Sequence, residues 1–347
     1  MYPPQGSEGP SPVPPERLPP APNDLSSATL AQEDQYQQFV PKPLPPLNGR
    51  LWVQLLLLAL TLGTTTFAGG CHYYSFMQDL STASQVNAGG PDFSDPIFYL
   101  HGLWYSLTIL AILGLHEMGH YVACLRYGVI ATRPYFLPAP VLLTGTLGAF
   151  IRIKSRIPNK TALFDIGIAG PLAGFVVAVP SLFIGLMLSR VDRLPEDSSG
   201  LIELGEPLLF KFAAWLVWGT VPDGYSINMH PMAFAAWFGL LATALNLFPI
   251  AQLDGGHISY AVLGARSTFV TLFMVGVAIF LATLSSSWIV WTVLLVVMLF
   301  TLGPRHPPTL YDDEPINRER MILAAVAMLI LALCFTPAPI GEFLSAS

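Results

Sequence analysis

Charge is what this sequence has least of. Asp, Glu, Lys and Arg make up 11% of its 347 residues, where a soluble domain carries about 25%. Against 53% hydrophobic residues and a mean hydropathy of +0.56, that shortage excludes an ordinary soluble globule and indicates a polytopic membrane protein. Cysteine is scarce too. Cys71, Cys124 and Cys334 show no paired spacing, and two of them lie in apolar runs, so no disulfide framework is expected. No basic patch is present, which argues against a nucleic-acid partner. The N-terminus lacks a basic stretch followed by an apolar one, so no cleavable signal peptide is expected. No internal repeat is evident, and no insertion is long enough for a separate soluble domain.

Proline is abundant at one end. Residues 1–50 hold 13 of the 32 prolines, with Ser, Gln and acidic residues among them. Such a segment cannot build a packed core and is expected to be a disordered, extended tail. A partner that reads proline-rich segments could bind it. Residues 51–347 read as one multi-span domain.

A helical span needs about 20 mainly apolar residues. Candidates fall near 51–68, 102–123, 162–188, 231–247, 269–284, 288–302 and 321–335. The fold class is therefore an α-helical polytopic membrane protein with six to seven transmembrane helices and a small membrane-associated β element. The stretch 208–218 is too short to cross. Residues 69–100 contain no Lys or Arg, whereas 126–160 contain six and 303–320 contain Arg305, Arg318 and Arg320. Basic loops stay inside. Seven spans with the N-terminus inside satisfy all three loops; the 189–230 loop is a weak exception.

The residues that do not belong in hydrocarbon are the informative ones. Between His101 and Val129 the only formal charges are Glu117 and Arg126, and Glu117 sits in His116-Glu117-Met118-Gly119-His120. Buried ionisable groups in a span are costly and functional by default. On a helix, residues i and i+4 share a face. That spacing suits two imidazoles on one zinc, with the glutamate placed to activate bound water. Two histidines leave zinc one protein ligand short. Asp165 and Asp254 are the intramembrane acids available. Asp254 is the better candidate, because it lies in Asn246-Leu-Phe-Pro-Ile-Ala-Gln-Leu-Asp254-Gly-Gly-His257. Pro249 cannot continue the preceding helix, and Gly255 and Gly256 permit unusual backbone angles. A broken segment at membrane depth must line a cavity or be buried in protein.

These two motifs together resemble the site-2 protease family of intramembrane zinc metalloproteases, in the branch without an inserted PDZ domain. The resemblance covers about residues 100–260 and extends to the Gly-Pro-Arg-His-Pro-Pro loop at 303–308. It implies one zinc per chain, with His116, His120 and Asp254 as ligands, Glu117 as catalytic base and Asn246 beside the site. It also implies membrane-protein substrates, in particular single-span ones, cut within or near the bilayer, and a bacterial cytoplasmic or plastid membrane as the location. It says nothing of the proline-rich tail.

Other residues stay open between two readings. His257 is either an outer partner of the ligands or a helix-start residue facing a loop. Cys124, one further i+4 step along, reads as a small buried hydrophobe. Gly119 allows close packing beside the metal. Residues 145–156 alternate with a strand period, and the resemblance suggests a membrane-dipping sheet. Its edge, with Gly145, Gly148 and Phe150, either accepts a substrate strand or is a surface hairpin blunted by charge. In residues 167–175 small residues recur at helical spacing, a close helix-packing face. A metal transporter or receptor would use the same ligands but has no need of Glu117. A proteolytically inactive relative would lack a ligand or the base, and none is missing.

Overall fold

The computed structural model describes residues 51–78, 90–140, 143–195 and 202–342. The expected tail, 1–50, lies outside the described residues. Helix α1 spans Leu51–Met77, α2 Pro96–Arg126, α3 Lys160–Leu188, α4 Leu208–Trp218, α5 Pro231–Leu247, α6 Asp254–Leu263, α7 Ser267–Leu284, α8 Ser287–Leu302 and α9 Arg318–Cys334. Three two-stranded antiparallel ribbons join them. Strand β1 (Tyr135–Pro138) pairs β2 (Thr146–Phe150). Strand β3 (Arg190–Arg193) pairs β5 (Tyr225–Asn228), and β4 (Ile202–Leu204) pairs β6 (Ile340–Glu342).

The helices are inside-out by the standards of a soluble protein. The buried face of α1 carries Thr61, Thr65, Thr66, Gly69 and Gly70, while Trp52, Leu55 and Leu56 face outward. On α8, Phe300 is 85% exposed. Apolar faces of this extent would be untenable in water, and in lipid they are the solvent-facing surface. Close backbone approach takes the place of an oily core between α1 and α2. A Cβ on Gly102 would lie 2.1 Å from the Thr66 oxygen, so only glycine lets these helices touch.

Local signals set the ends of the central helices. Asp95 caps α2 by accepting from the Ile97 amide at 2.9 Å, with Pro96 at the first helical position. Asn159 caps α3 by accepting from Ala162 N at 2.9 Å. Such caps satisfy donors that a helix start leaves unpaired.

Each expected span is a helix. By length and composition, four stretches can cross a membrane: Leu51–Met77, Pro96–Arg126, Lys160–Leu188 and Asp254–Leu284. The last is not one straight rod. Gly264 turns at φ +58, and a short 3-10 segment, Gly264–Arg266, separates α6 from α7. The Ala251 amide donates to Thr271 Oγ1 at 3.1 Å. If α6 and α7 were collinear, residues 20 apart would be about 30 Å apart, so α7 doubles back beside α6. Besides these four stretches, α5 and α8 are shorter apolar helices. Helix α4 has 11 residues and, as expected, cannot cross.

The segment between α5 and α6 keeps its backbone paired although it is irregular. Ile250 N donates to Phe248 O, Leu253 N to Ile250 O and His257 N to Leu253 O. Ala251 sits at φ +42, the one non-glycine with positive φ among the described residues. A Cβ on Gly255 would meet the Leu247 oxygen at 2.0 Å. The Gly-Gly pair is what lets α6 start hard against the end of α5.

Candidate metal centre

Helix α2 brings His116 and His120 to one face, one turn apart, and both are buried. Helix α6 begins at Asp254, whose carboxylate points between them. The two Nε2 atoms are 3.1 Å apart, and Asp254 Oδ2 lies 3.2 Å from the first and 3.3 Å from the second. Ligand atoms about 2.0–2.1 Å from a tetrahedral zinc are themselves about 3.3 Å apart. This near-equilateral triangle of two imidazole nitrogens and one carboxylate oxygen therefore fits the donor set of a zinc ion. Among the described residues it is the one His/Cys/Asp/Glu group that converges in this way.

Outer contacts orient the donors. His120 Nδ1 donates to the Ile166 carbonyl at 2.7 Å, which leaves the Nε2 lone pair for a metal. Helix α3 supplies the room. A Cβ on Gly170 would fall 2.1 Å from His120 Nε2, and one on Gly174 3.2 Å from His116 Cβ. Two glycines four apart face two histidines four apart. The small-residue face expected in 167–175 is thus a seat for the two histidines as well as a packing surface. Gly119 also packs as expected, its missing Cβ 2.4 Å from the Ala169 oxygen. Gly170→Ala should displace His120 and weaken zinc binding by about 10–100-fold, the range for disturbed ligand support. Equilibrium dialysis against a zinc buffer reads this, and unchanged affinity would show that the seat is not needed.

Glu117 is buried beside the triad, within electrostatic reach of His116, His120 and Asp254, and its carboxylate faces the Ile151 backbone just beyond β2. Asn246, the last turn of α5, places its side-chain nitrogen 3.3 Å from His116 Nε2. Both therefore border the metal position.

The remaining candidates separate. His257, one turn after Asp254, hydrogen-bonds His306 of the 303–317 loop rather than a ligand. His306 Nδ1 donates to the Pro307 oxygen at 2.6 Å, so its Nε2 accepts from His257 Nδ1 at 2.7 Å. Burial pushes the His306 imidazole below its usual range, in keeping with that accepting role. The ring of His306 stacks on Tyr260, and Tyr260 donates to Asp312 at 2.9 Å. His257 thus belongs to the contact that ties this loop to α6. Asp165 is held away from the metal by a two-pronged Arg320 contact at 2.7 and 2.8 Å and by the Tyr127 hydroxyl. Cys124 is fully buried among Ala123, Val129 and Ile166, a small hydrophobe as expected.

The 145–156 stretch does form a strand, β2, but a shorter one than its alternation implies. Phe150 is exposed and pairs with Tyr135 across the ribbon, and Gly148 has φ +108. Gly145 is not an edge residue. It turns at φ +68 against α1, where a Cβ would lie 2.7 Å from the Thr64 oxygen, and its own carbonyl is already paired. Of the three strand candidates, Gly148 and Phe150 are on β2 and Gly145 is its anchor. Ile151, Ile166, Gly170 and His306 were not singled out by sequence. Only the glycine spacing carried a readable signal.

Comparison with known proteins agrees with this chemistry. Residues 104–284 match the profile of peptidase family M50. The chain is 27% identical over 327 residues to the probable zinc metalloprotease EGY1, chloroplastic, of Arabidopsis thaliana, covering 86% of this chain and 55% of that protein. It is 30% identical over 254 residues to the probable zinc metalloprotease EGY2, chloroplastic, of Oryza sativa subsp. indica, covering 70% of this chain and 45% of that one. The chain spans about half the length of the curated relatives it matches.

Proposed function

The chain belongs to peptidase family M50, and from that premise we propose that it is an intramembrane zinc metalloprotease that hydrolyses peptide bonds within or near transmembrane segments. The observation that carries the reading is the 3.1–3.3 Å triangle of His116, His120 and Asp254 with Glu117 buried beside it. A zinc ion held by those three residues would supply a Lewis acid for water and for a peptide carbonyl. Glu117 takes the proton of the attacking water and returns it to the departing amine nitrogen. Asn246, whose side chain borders His116, donates to the scissile carbonyl oxygen as charge develops there. Strand β2 lies beside Glu117 and offers an edge along which a substrate can add as a strand. A helical peptide bond is protected by its own hydrogen bonds, so a substrate span unwinds before it is cut.

The substrates are membrane proteins, single-span ones first. The membrane is of bacterial or plastid type, and the relatives named above carry the word chloroplastic. Incubating the purified protein with a panel of single-span candidates, with and without a zinc chelator, tests the reading. New peptide termini within the membrane segment, lost on chelation, are expected. A transporter using the same ligands would give metal flux in vesicles and no new termini.

Orientation follows from the basic loops, with 126–160 and 303–320 inside. Asp313 and Asp223 are both exposed and lie on the inner and outer loops of this assignment. A cysteine-reactive, membrane-impermeant reagent should label the Asp223→Cys variant from outside and the Asp313→Cys variant only from inside. The reverse pattern would overturn the orientation. His120 is six residues from Arg126 and 18 from Gly102, so substrates are cut in the inner half of their spans.

A further inference from the structure

Three consecutive carbonyls in the turn between β1 and β2 are each met by a side chain from α1 or α2. His72 Nε2 donates to the Leu143 oxygen at 2.8 Å. The Tyr105 hydroxyl donates to Thr144 O at 3.0 Å, and the Thr64 hydroxyl to Gly145 O at 2.7 Å. A carbonyl only accepts, so these donors are aimed at the turn. Thr64 also has carbonyls of its own helix in reach, Leu60 O and Thr61 O, both at 3.1 Å. Its shortest contact is nevertheless to the turn. Tyr105 is fully buried, although phenylalanine would fill that seat without a polar tip to satisfy. Farther along α1, Gln54 donates to Arg133 O at 3.1 Å, just before β1. Gln54 and His72 are 18 residues apart, about 27 Å of helix, which is close to the hydrocarbon thickness of about 30 Å. The ribbon thus runs along α1 at membrane depth, where irregular backbone persists only if the protein pairs it.

The pairing fixes a length. From the Gly145 anchor to Ile151, beside Glu117, is about 20 Å of strand. From Tyr105 to Glu117 is about 18 Å of helix. Strand β2 therefore lies alongside α2, held at one end by the three donors and meeting the catalytic carboxylate at the other. A slip of one residue would move it by about 3.3 Å, a full residue of any strand added to it.

We propose that Thr64, His72 and Tyr105 are positioning residues that set the depth of β2 and thereby select which peptide bond of an added substrate strand meets Glu117. This rests on the protease reading above and on a substrate strand along β2. None of the three touches the reacting atoms.

The test uses the full chain in lipid nanodiscs. The Thr64→Val/Tyr105→Phe double variant removes two donors and keeps both shapes. Bound zinc, amide hydrogen exchange across 143–151, product termini, KM and kcat are compared with wild type and with Thr64→Ser. We expect unchanged zinc. Exchange should be faster by about threefold to tenfold per lost bond. Termini should shift or spread by one or two residues, KM should rise more than kcat falls, and Thr64→Ser should retain the wild-type pattern. If the double variant loses zinc, Tyr105→Phe alone reads the same quantities. Unchanged exchange would overturn the clamp. Faster exchange with wild-type termini and KM would overturn its role in selecting the bond. A wild-type protein that cuts nothing while exchange still rises in the variant would instead sink the protease reading, and this proposal with it.

Discussion

Glu117→Gln leaves zinc bound and lowers peptide cleavage by about 10²–10⁴-fold, the usual worth of a positioned general base. The carboxamide has nearly the same shape, so the packing of α2 against the Ile151 backbone survives. It cannot accept the water's proton. Glu117 is not one of the three converging ligand atoms, so metal content should stay at one zinc per chain. Product analysis and metal analysis on the same preparation decide the matter. Full turnover in this variant would remove the base assignment and favour transport, which has no use for a proton acceptor next to the first histidine.

Asp254→Ala should strip the metal. It removes the one carboxylate corner of the triangle, leaving two imidazoles 3.1 Å apart, and two ligands make a poor zinc site. We expect zinc affinity to fall by 100-fold or more, beyond the 10–100-fold cost of disturbing a ligand's support alone, with activity lost in proportion. Asp254→Asn is the informative companion. It keeps the shape at the start of α6 and an oxygen donor, and loses the charge that both the metal and the positive end of the helix favour. Zinc at full occupancy in both variants would require another third ligand. Asp165 is committed to Arg320 and Tyr127, and His257 to His306, so neither reaches the site without breaking those contacts.

The candidate ligands were legible because hydrocarbon makes polarity conspicuous. His116, Glu117 and His120 stand out within an apolar run, and helical periodicity alone places the two histidines on one face. Pro249 announced the break before Asp254, but Gly255 and Gly256 serve it by close approach to the Leu247 and Ala251 carbonyls, within α6, rather than by the unusual backbone angles expected of them. The supporting contacts were less legible. That Gly170 and Gly174 seat the two histidines depends on how α3 crosses α2, and a small-residue face is equally good for packing any helix. His257 has a partner 49 residues away, and nothing in either local stretch encodes that distance.

The sequence by itself determined the membrane class, the apolar helices and the polar residues that make up the candidate site, His116, Glu117, His120 and Asp254, because each follows from short-range rules: apolar length, the i and i+4 spacing, and the cost of buried charge. Tertiary structure decided the rest. It set the 3.1–3.3 Å convergence of Asp254 on the histidines, the fold-back of α7 at Gly264, and the anchoring of Gly145 by donors from α1 and α2. These depend on pairs far apart in the chain. A buried donor or carbonyl takes whichever partner the packed helices bring within about 3 Å, and composition and periodicity do not carry that choice.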